Sequence, residues 1–163
     1  MADLTPLDEK LAEVLGLAQA AQAAVDTVSG MEGADDFADA LGRMKQQAEE
    51  TERRTDALVD ALDGRKTAIR ELARETKSEG TEMMKTYLGG EEEALDGFEF
   101  LSMAEAGELC HWEIVEKMAG TVGDKQVAEL AQWAVPVQRG HVATVREASL
   151  TLAADEAREM ANA

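Results

Sequence analysis

Apolar residues recur at alternating steps of three and four along most of this chain, a spacing that places them on one face of an α-helix. The longest unbroken run lies near the N-terminus and comprises Leu4, Leu7, Leu11, Val14, Ala18, Ala21, Val25 and Val28. Prolines, which interrupt helices, number only two in 163 residues. The sequence therefore predicts an all-α protein, built as a single domain over residues 1–163.

Capping and turn residues divide the chain into four long helices and one connecting segment. The first helix should begin at Thr5-Pro6, where a capping hydroxyl precedes a proline suited to the first helical position. The predicted bounds are Thr5-Pro6 to Ser29-Gly30, about Asp35 to Gly64, Glu91 to Gly120, and Asp124 into the 150s. Two antiparallel hairpins result, joined by a long crossover at about residues 65–90 that we expect to be partly helical, with a break at Gly80.

The net charge of the chain limits the kinds of partner it can bind, and its cysteine content indicates the cellular compartment. A formal charge of −18 disfavours nucleic acid and anionic membrane surfaces as partners. The single cysteine, Cys110, allows no internal disulfide and suits a reducing compartment. The N-terminus has no basic start followed by an apolar segment, and no apolar stretch is long enough to span a bilayer. A cytoplasmic location is the expectation.

Polar residues interrupt the apolar seams of the third and fourth predicted helices. The third-helix seam is Phe98, Leu101, Glu105, Glu108, Trp112, Val115 and Ala119, and the fourth-helix seam is Val127, Leu130, Ala134, Val137, His141, Thr144 and Ala148. In a hairpin that turns near residue 122, positions equally distant from the turn lie at one height. Glu105, Glu108, Gln138 and His141 should therefore form one buried layer, which is costly unless they are paired or coordinated.

Two carboxylates opposite an imidazole suit iron, manganese or zinc. The candidate metal ligands are Glu105, Glu108, His141, Gln138 and Glu52. The first helix offers no inward carboxylate, and Gln22 is its nearest polar candidate, which argues against a complete di-metal centre. The residues leave a second interpretation open, in which the same side chains form a metal-free hydrogen-bonded network.

These motifs resemble those of the ferritin-like superfamily and, within it, are similar to the YciF-type bacterial stress-protein branch, over roughly Phe37 to Ala148. The resemblance is carried by Glu49-Glu50-Thr51-Glu52, Ala68-Ile69-Arg70-Glu71-Leu72 with Glu75, Glu105-x-x-Glu108 and Gln138-x-x-His141. It implies a four-helix bundle of two hairpins and a long crossover. It also implies dimers and an association with stress, without an assigned reaction.

The superfamily's metal-binding members use one Glu from each of two helices and Glu-x-x-His from each of the other two. By resemblance, Glu108 or Glu105 matches the third-helix carboxylate, Glu49 the second-helix Glu, and His141 the fourth-helix His. Gln138 stands where a Glu is expected and Glu52 where a His is expected. The resemblance thus implies a site with fewer carboxylate and histidine ligands than the full pattern, which binds one transition-metal ion. It argues against di-iron oxidase or ferroxidase activity. No catalytic residue is assigned, and the alternative is a non-catalytic, metal-free structural or interaction protein.

A second apolar strip on the third helix points away from the first: Phe100, Met103, Gly107, Ile114 and Met118. Either the crossover or another subunit should cover it, and we expect a homodimer through the third helix or the crossover. His111 lies to the side of the seam and is expected on a flank rather than at a metal. Cys110 is expected to be a small packing residue.

Overall fold

Helices account for nearly all of the computed structural model, which describes residues 3–163. The helices are α1 (Pro6–Ser29), α2 (Ala38–Asp60), α3 (Lys66–Leu88), α4 (Ala94–Val122) and α5 (Lys125–Asn162), with a short 3-10 turn at Asp35–Phe37 before α2. Over residues 3–163 the chain contains no β-strand, only an isolated bridge between Glu32 and Glu93. The all-α prediction is confirmed.

The start of α1 follows the capping chemistry expected from its sequence. The Thr5 hydroxyl accepts a hydrogen bond from the backbone N–H of Asp8, and the Asp8 carboxylate accepts one from the backbone N–H of Thr5. Asp8 also pairs with Arg65, just before α3, at 2.7 Å. Burial raises the pKa of Asp8, but the hydrogen bonds from Thr5 and Arg65 outweigh it, so the pKa lies below its usual value.

The crossover is a complete helix, and the predicted break at Gly80 is wrong. Gly80 lies inside α3, where a Cβ on this residue would come within 3.0 Å of Ala20 on α1. A Cβ on Gly16 would lie 2.4 Å from the carbonyl oxygen of Ala73. Both glycines therefore let α1 and α3 approach closely, side by side and parallel, so packing rather than chain flexibility explains them.

Pairwise contacts define how the other helices run. Hydrogen bonds from Gln22 to Glu52 and from Lys45 to Asp26 make α1 and α2 antiparallel. The pair Arg139 and Glu113, together with the α4–α5 turn at Gly123, makes α4 and α5 the second antiparallel hairpin. Because α3 packs along α1 as a fifth helix, the arrangement is a bundle of helices in which a four-helix ferritin-like core stays a prediction.

The interior contains two apolar clusters separated along the bundle by polar residues. One includes Leu11, Leu15, Val59, Ile69, Trp112, Val115, Val127 and Leu130, and the other Val25, Val28, Leu41, Met44, Phe98, Leu101 and Val145. Between them on α4 lie Glu105 and Glu108, and between them on α5 lie Gln138 and His141. Within residues 3–163, no helix combines the length and the apolar character needed to cross a membrane.

Candidate functional site

Glu105, Gln138 and His141, from α4 and α5, meet in the interior. Glu108 is buried one turn further along α4. Glu105 is 1% exposed, Glu108 5%, Gln138 4% and His141 4%. Each lies on the inward face of its helix because it continues the three-four spacing of the neighbouring apolar residues. The prediction that all four are buried is confirmed, and contact within one layer is seen for Glu105, Gln138 and His141.

Glu105 is the acceptor at the centre of this layer. The His141 ring contacts it with Nδ1 3.1 Å from Oε2, and the Gln138 amide donates to the same oxygen. Gln138 Nε2 also donates to the backbone carbonyl of Glu105 at 3.2 Å. The carboxylate of Glu105 therefore joins α4 to α5 through two side chains. One of them is Gln138, which stands where the resemblance leads us to expect a Glu.

The second nitrogen of His141 extends the network to α2. Nε2 lies 2.8 Å from Oε1 of Gln47, and whichever way that amide is turned, the nitrogen is used in a hydrogen bond. A histidine can ligate a metal only through a nitrogen with a free lone pair. In this arrangement both ring nitrogens of His141 are occupied. Gln47 was not predicted, because it lies beside rather than among the buried residues of α2, which are Leu41, Met44, Ala48, Thr51, Thr55 and Val59.

Glu108 differs from Glu105 although it lies one turn along the same helix. Over residues 3–163 its carboxyl makes no hydrogen bond of normal geometry. Burial and the neighbouring Glu105 raise the pKa of Glu108 well above its usual value, and the nearby Trp112 indole opposes the shift only weakly. The Trp112 N–H, which is the donor that acts on this carboxyl, is buried and makes no hydrogen bond of normal geometry in the described chain.

Glu52 belongs to a separate pair of contacts between α1 and α2. Gln19 donates to Oε1 of Glu52 at 3.0 Å, and Gln22 donates to Oε2 at 2.6 Å. Gln22 was the inward polar residue expected on the first helix, and its partner proves to be Glu52. Both carboxylate oxygens of this predicted ligand are thus held by amides of α1.

The donor set fits a metal poorly as it is arranged. In the part of the chain that the structure describes, no group of three or more His, Cys, Asp or Glu side chains is placed to hold a metal ion. Gln138 is neutral, and the His141 nitrogens and the Glu52 oxygens are already bonded to protein groups. A site for iron, manganese or zinc at these residues stays a prediction without support from their geometry.

A groove of about 550 Å³ opens between α1, α3 and α4, next to the buried layer. Its walls are mostly apolar and include Leu17, Ala21, Leu72, Met83, Phe100 and Met103, while Glu105 and Glu108 also line it. This volume lies in the range of small-molecule sites in proteins, which are concave, apolar and carry a few polar groups. The sequence placed an apolar strip here but did not indicate a cavity.

The second apolar strip of α4 is covered only at its start. Phe100 is buried, with its ring centroid 6.0 Å from that of Tyr87 on α3, whereas Met103 is 50% exposed and Ile114 38%. The crossover thus covers one end, and the homodimer through α4 or α3 stays a prediction.

His111 and Cys110 lie next to this strip on α4. His111 lies on the flank as expected, 3.4 Å from Glu13. Cys110 is exposed, so the prediction that it is a packing residue is wrong.

Comparison with models of protein families, with curated proteins and with solved structures finds no match. The resemblance to the ferritin-like superfamily and its YciF-type branch therefore depends on the sequence motifs alone.

Proposed function

We propose that this chain is a non-catalytic helical-bundle protein whose buried polar layer fixes the pairing of its helices without a metal ion. The observation that carries the proposal is the bonding of His141, with one ring nitrogen on Glu105 and the other on Gln47. These bonds, with those of Gln138, connect α2, α4 and α5 through side chains that satisfy one another. A layer completed by protein groups needs no ion to balance it.

The layer has a physical use in a bundle with small side chains on its seams. Alanines at positions such as Ala18 and Ala134 are small and alike, so sliding one helix past another by a turn changes their packing little. The same slide would separate Glu105 from Gln138 and His141 and leave each of them buried without a partner. Polar core groups can specify register in this way, at the expense of some stability.

Metal analysis of protein purified without chelator tests this proposal. We expect no stoichiometric Fe, Mn or Zn, and no rise in melting temperature when Fe²⁺, Mn²⁺ or Zn²⁺ is added, because an ion that binds only the folded state would stabilise it. One bound ion per chain, lost in Glu108→Ala, would overturn it. The matched control is Glu129→Ala, which removes an exposed glutamate of α5.

A metal-binding function is the second candidate. It is favoured by the burial of Glu105, Glu108 and His141 in one region of the interior. Binding through these residues would require the His141–Gln47 or His141–Glu105 hydrogen bond to break so that a ring nitrogen becomes free. The same metal analysis decides between the two candidates, and the association with stress implied by the motifs stays a prediction in either case.

A further inference from the structure

The groove between α1, α3 and α4 has an acidic character within its apolar walls. Its titratable lining residues are Glu13, Glu79, Glu105, Glu108 and His111, and among the described residues no lysine or arginine lines it. Glu13 is paired with Lys10 at 2.8 Å, and Glu105 is bonded to α5, so these two carboxylates already have partners. The acidic groups without such partners are Glu79 at the rim and Glu108 at depth.

Glu108 is the residue of the groove whose hydrogen bonding indicates a ligand. Its side chain is 5% exposed, lines the groove, and makes no hydrogen bond of normal geometry within residues 3–163, where the Trp112 indole is the one donor that acts on it. A carboxyl that is largely buried and lacks well-placed donors is costly to the fold, and a ligand in the groove can supply those donors. Its neighbour Glu105 shows that the same helix can satisfy a carboxylate fully when the fold supplies donors.

We propose that this groove binds a small amphipathic cation, with its apolar body against Leu17, Met83, Phe100 and Met103 and its protonated amine on the Glu108 carboxylate. The ammonium would supply the donors that Glu108 lacks. It would also offset the repulsion between Glu108 and Glu105, since a nearby positive charge favours the ionised form of a carboxyl. The aromatic rings of Tyr87 and Phe100 add apolar surface for the body of the ligand.

Charge selects this ligand class over the other occupants. An anionic amphiphile would meet four carboxyls and a single imidazole, that of His111, in the groove. A second copy of this chain would bring another formal charge of −18 towards the same acidic lining. An apolar body with one amine matches both the walls and the unpaired carboxyl.

Titration calorimetry with three ten-carbon probes below their micellar concentrations tests the proposal. The probes are decylamine, decanol and decanoate, which share a chain and differ in the charge of the head group. We expect decylamine to bind best, decanol about tenfold more weakly, and decanoate not measurably. Equal binding of decanoate and decylamine, or binding of none of the three, would overturn the proposal.

Variants locate the contact. Glu108→Gln keeps the size of the side chain and removes its charge, so decylamine should bind about tenfold more weakly while decanol is little changed. Gly107→Phe places a ring where a Cβ has open space at the groove, and it should weaken both probes. Glu129→Gln removes an equal charge from an exposed site on α5 and should leave both affinities within about twofold.

Two further results count against a cationic ligand. Unchanged decylamine affinity in Glu108→Gln would mean that the amine is held elsewhere. A dimer in sedimentation velocity that Gly107→Phe dissociates and decylamine does not affect would assign the groove to a second copy of the chain. Circular dichroism of each variant establishes that it is folded before its binding is measured.

Discussion

Two buried carboxyls on the same face of α4, those of Glu105 and Glu108, differ in their hydrogen bonding. Towards α5 and α2, Glu105 accepts hydrogen bonds from Gln138 and His141, and His141 is held in turn by Gln47. Glu108 makes no hydrogen bond of normal geometry among the described residues, and its pKa is raised by burial and by Glu105. One helical turn separates the two residues.

This difference shows that burial of ionisable residues does not by itself identify a functional site. A carboxylate that accepts hydrogen bonds from other buried groups stabilises the fold, and removing it leaves those donors buried without an acceptor. A carboxyl without partners weakens the fold, and removing it should relieve that strain. The sign of the stability change therefore separates the two roles.

The largest effect is expected for Glu105→Leu. This change removes the carboxylate that Gln138 and His141 share, leaving Nδ1 of His141 buried without an acceptor and Gln138 with only the backbone carbonyl of residue 105. The free energy of unfolding should fall by about 3 kcal/mol. Urea unfolding followed by circular dichroism measures it. A stability equal to that of the wild type would mean that the layer does not hold α4 and α5 together.

Gln138→Leu should have the next largest effect. It removes the donor to both the carboxylate and the backbone carbonyl of Glu105, while His141 still bonds to Glu105. The free energy of unfolding should fall by about 2 kcal/mol, less than for Glu105→Leu because one donor remains in place. If the double variant Glu105→Leu with Gln138→Leu is as stable as the single Glu105→Leu, the two residues act as one network.

Glu108→Leu should change stability in the opposite direction. An apolar side chain needs no partner in this position, and the free energy of unfolding should rise by about 1 kcal/mol. The same urea experiment applies, with Glu105→Leu as the matched substitution one turn away. A loss of stability here would show that Glu108 has a partner in solution, such as an ion.

The last prediction concerns the dependence of stability on pH. Because the folded pKa of Glu108 is raised, its contribution to stability is greatest below the unfolded pKa and is lost as the pH rises towards the folded pKa. Glu108→Gln lacks this proton, so its stability relative to the wild type should increase by about 1 kcal/mol from about pH 5 to about pH 8. A difference that is constant over this range would mean that the pKa of Glu108 is unperturbed.

Much of the fold followed from local chemistry. Thr5 and Pro6 define the start of α1, Gly123 ends α4 in a left-handed conformation, and Asp124 caps α5. These signals act over a few residues and need no knowledge of neighbours. The crossover was harder, since a glycine such as Gly80 reads as a break in sequence but serves close helix packing in the folded chain.

The sequence predicted which residues of the candidate site are buried, but not their hydrogen-bond partners. Three-four spacing placed Glu105, Glu108, Gln138 and His141 inside, because periodicity defines the buried face of each helix. It could not identify Gln47 as the partner of His141 or the two α1 glutamines as the partners of Glu52. Those contacts depend on the rotation and offset of one helix against another, which are set by packing over the whole bundle.

By itself, the sequence determined that this protein is helical, where most of its helices begin and end, and that two carboxyls and an imidazole lie in its interior. Only the tertiary structure decided that α3 is unbroken and packs on α1, that Glu105 is satisfied while Glu108 is not, and that a groove opens beside Glu108. The reason is physical: helical periodicity is a local property of the chain, whereas hydrogen-bond partners and cavities arise between helices that are distant in sequence.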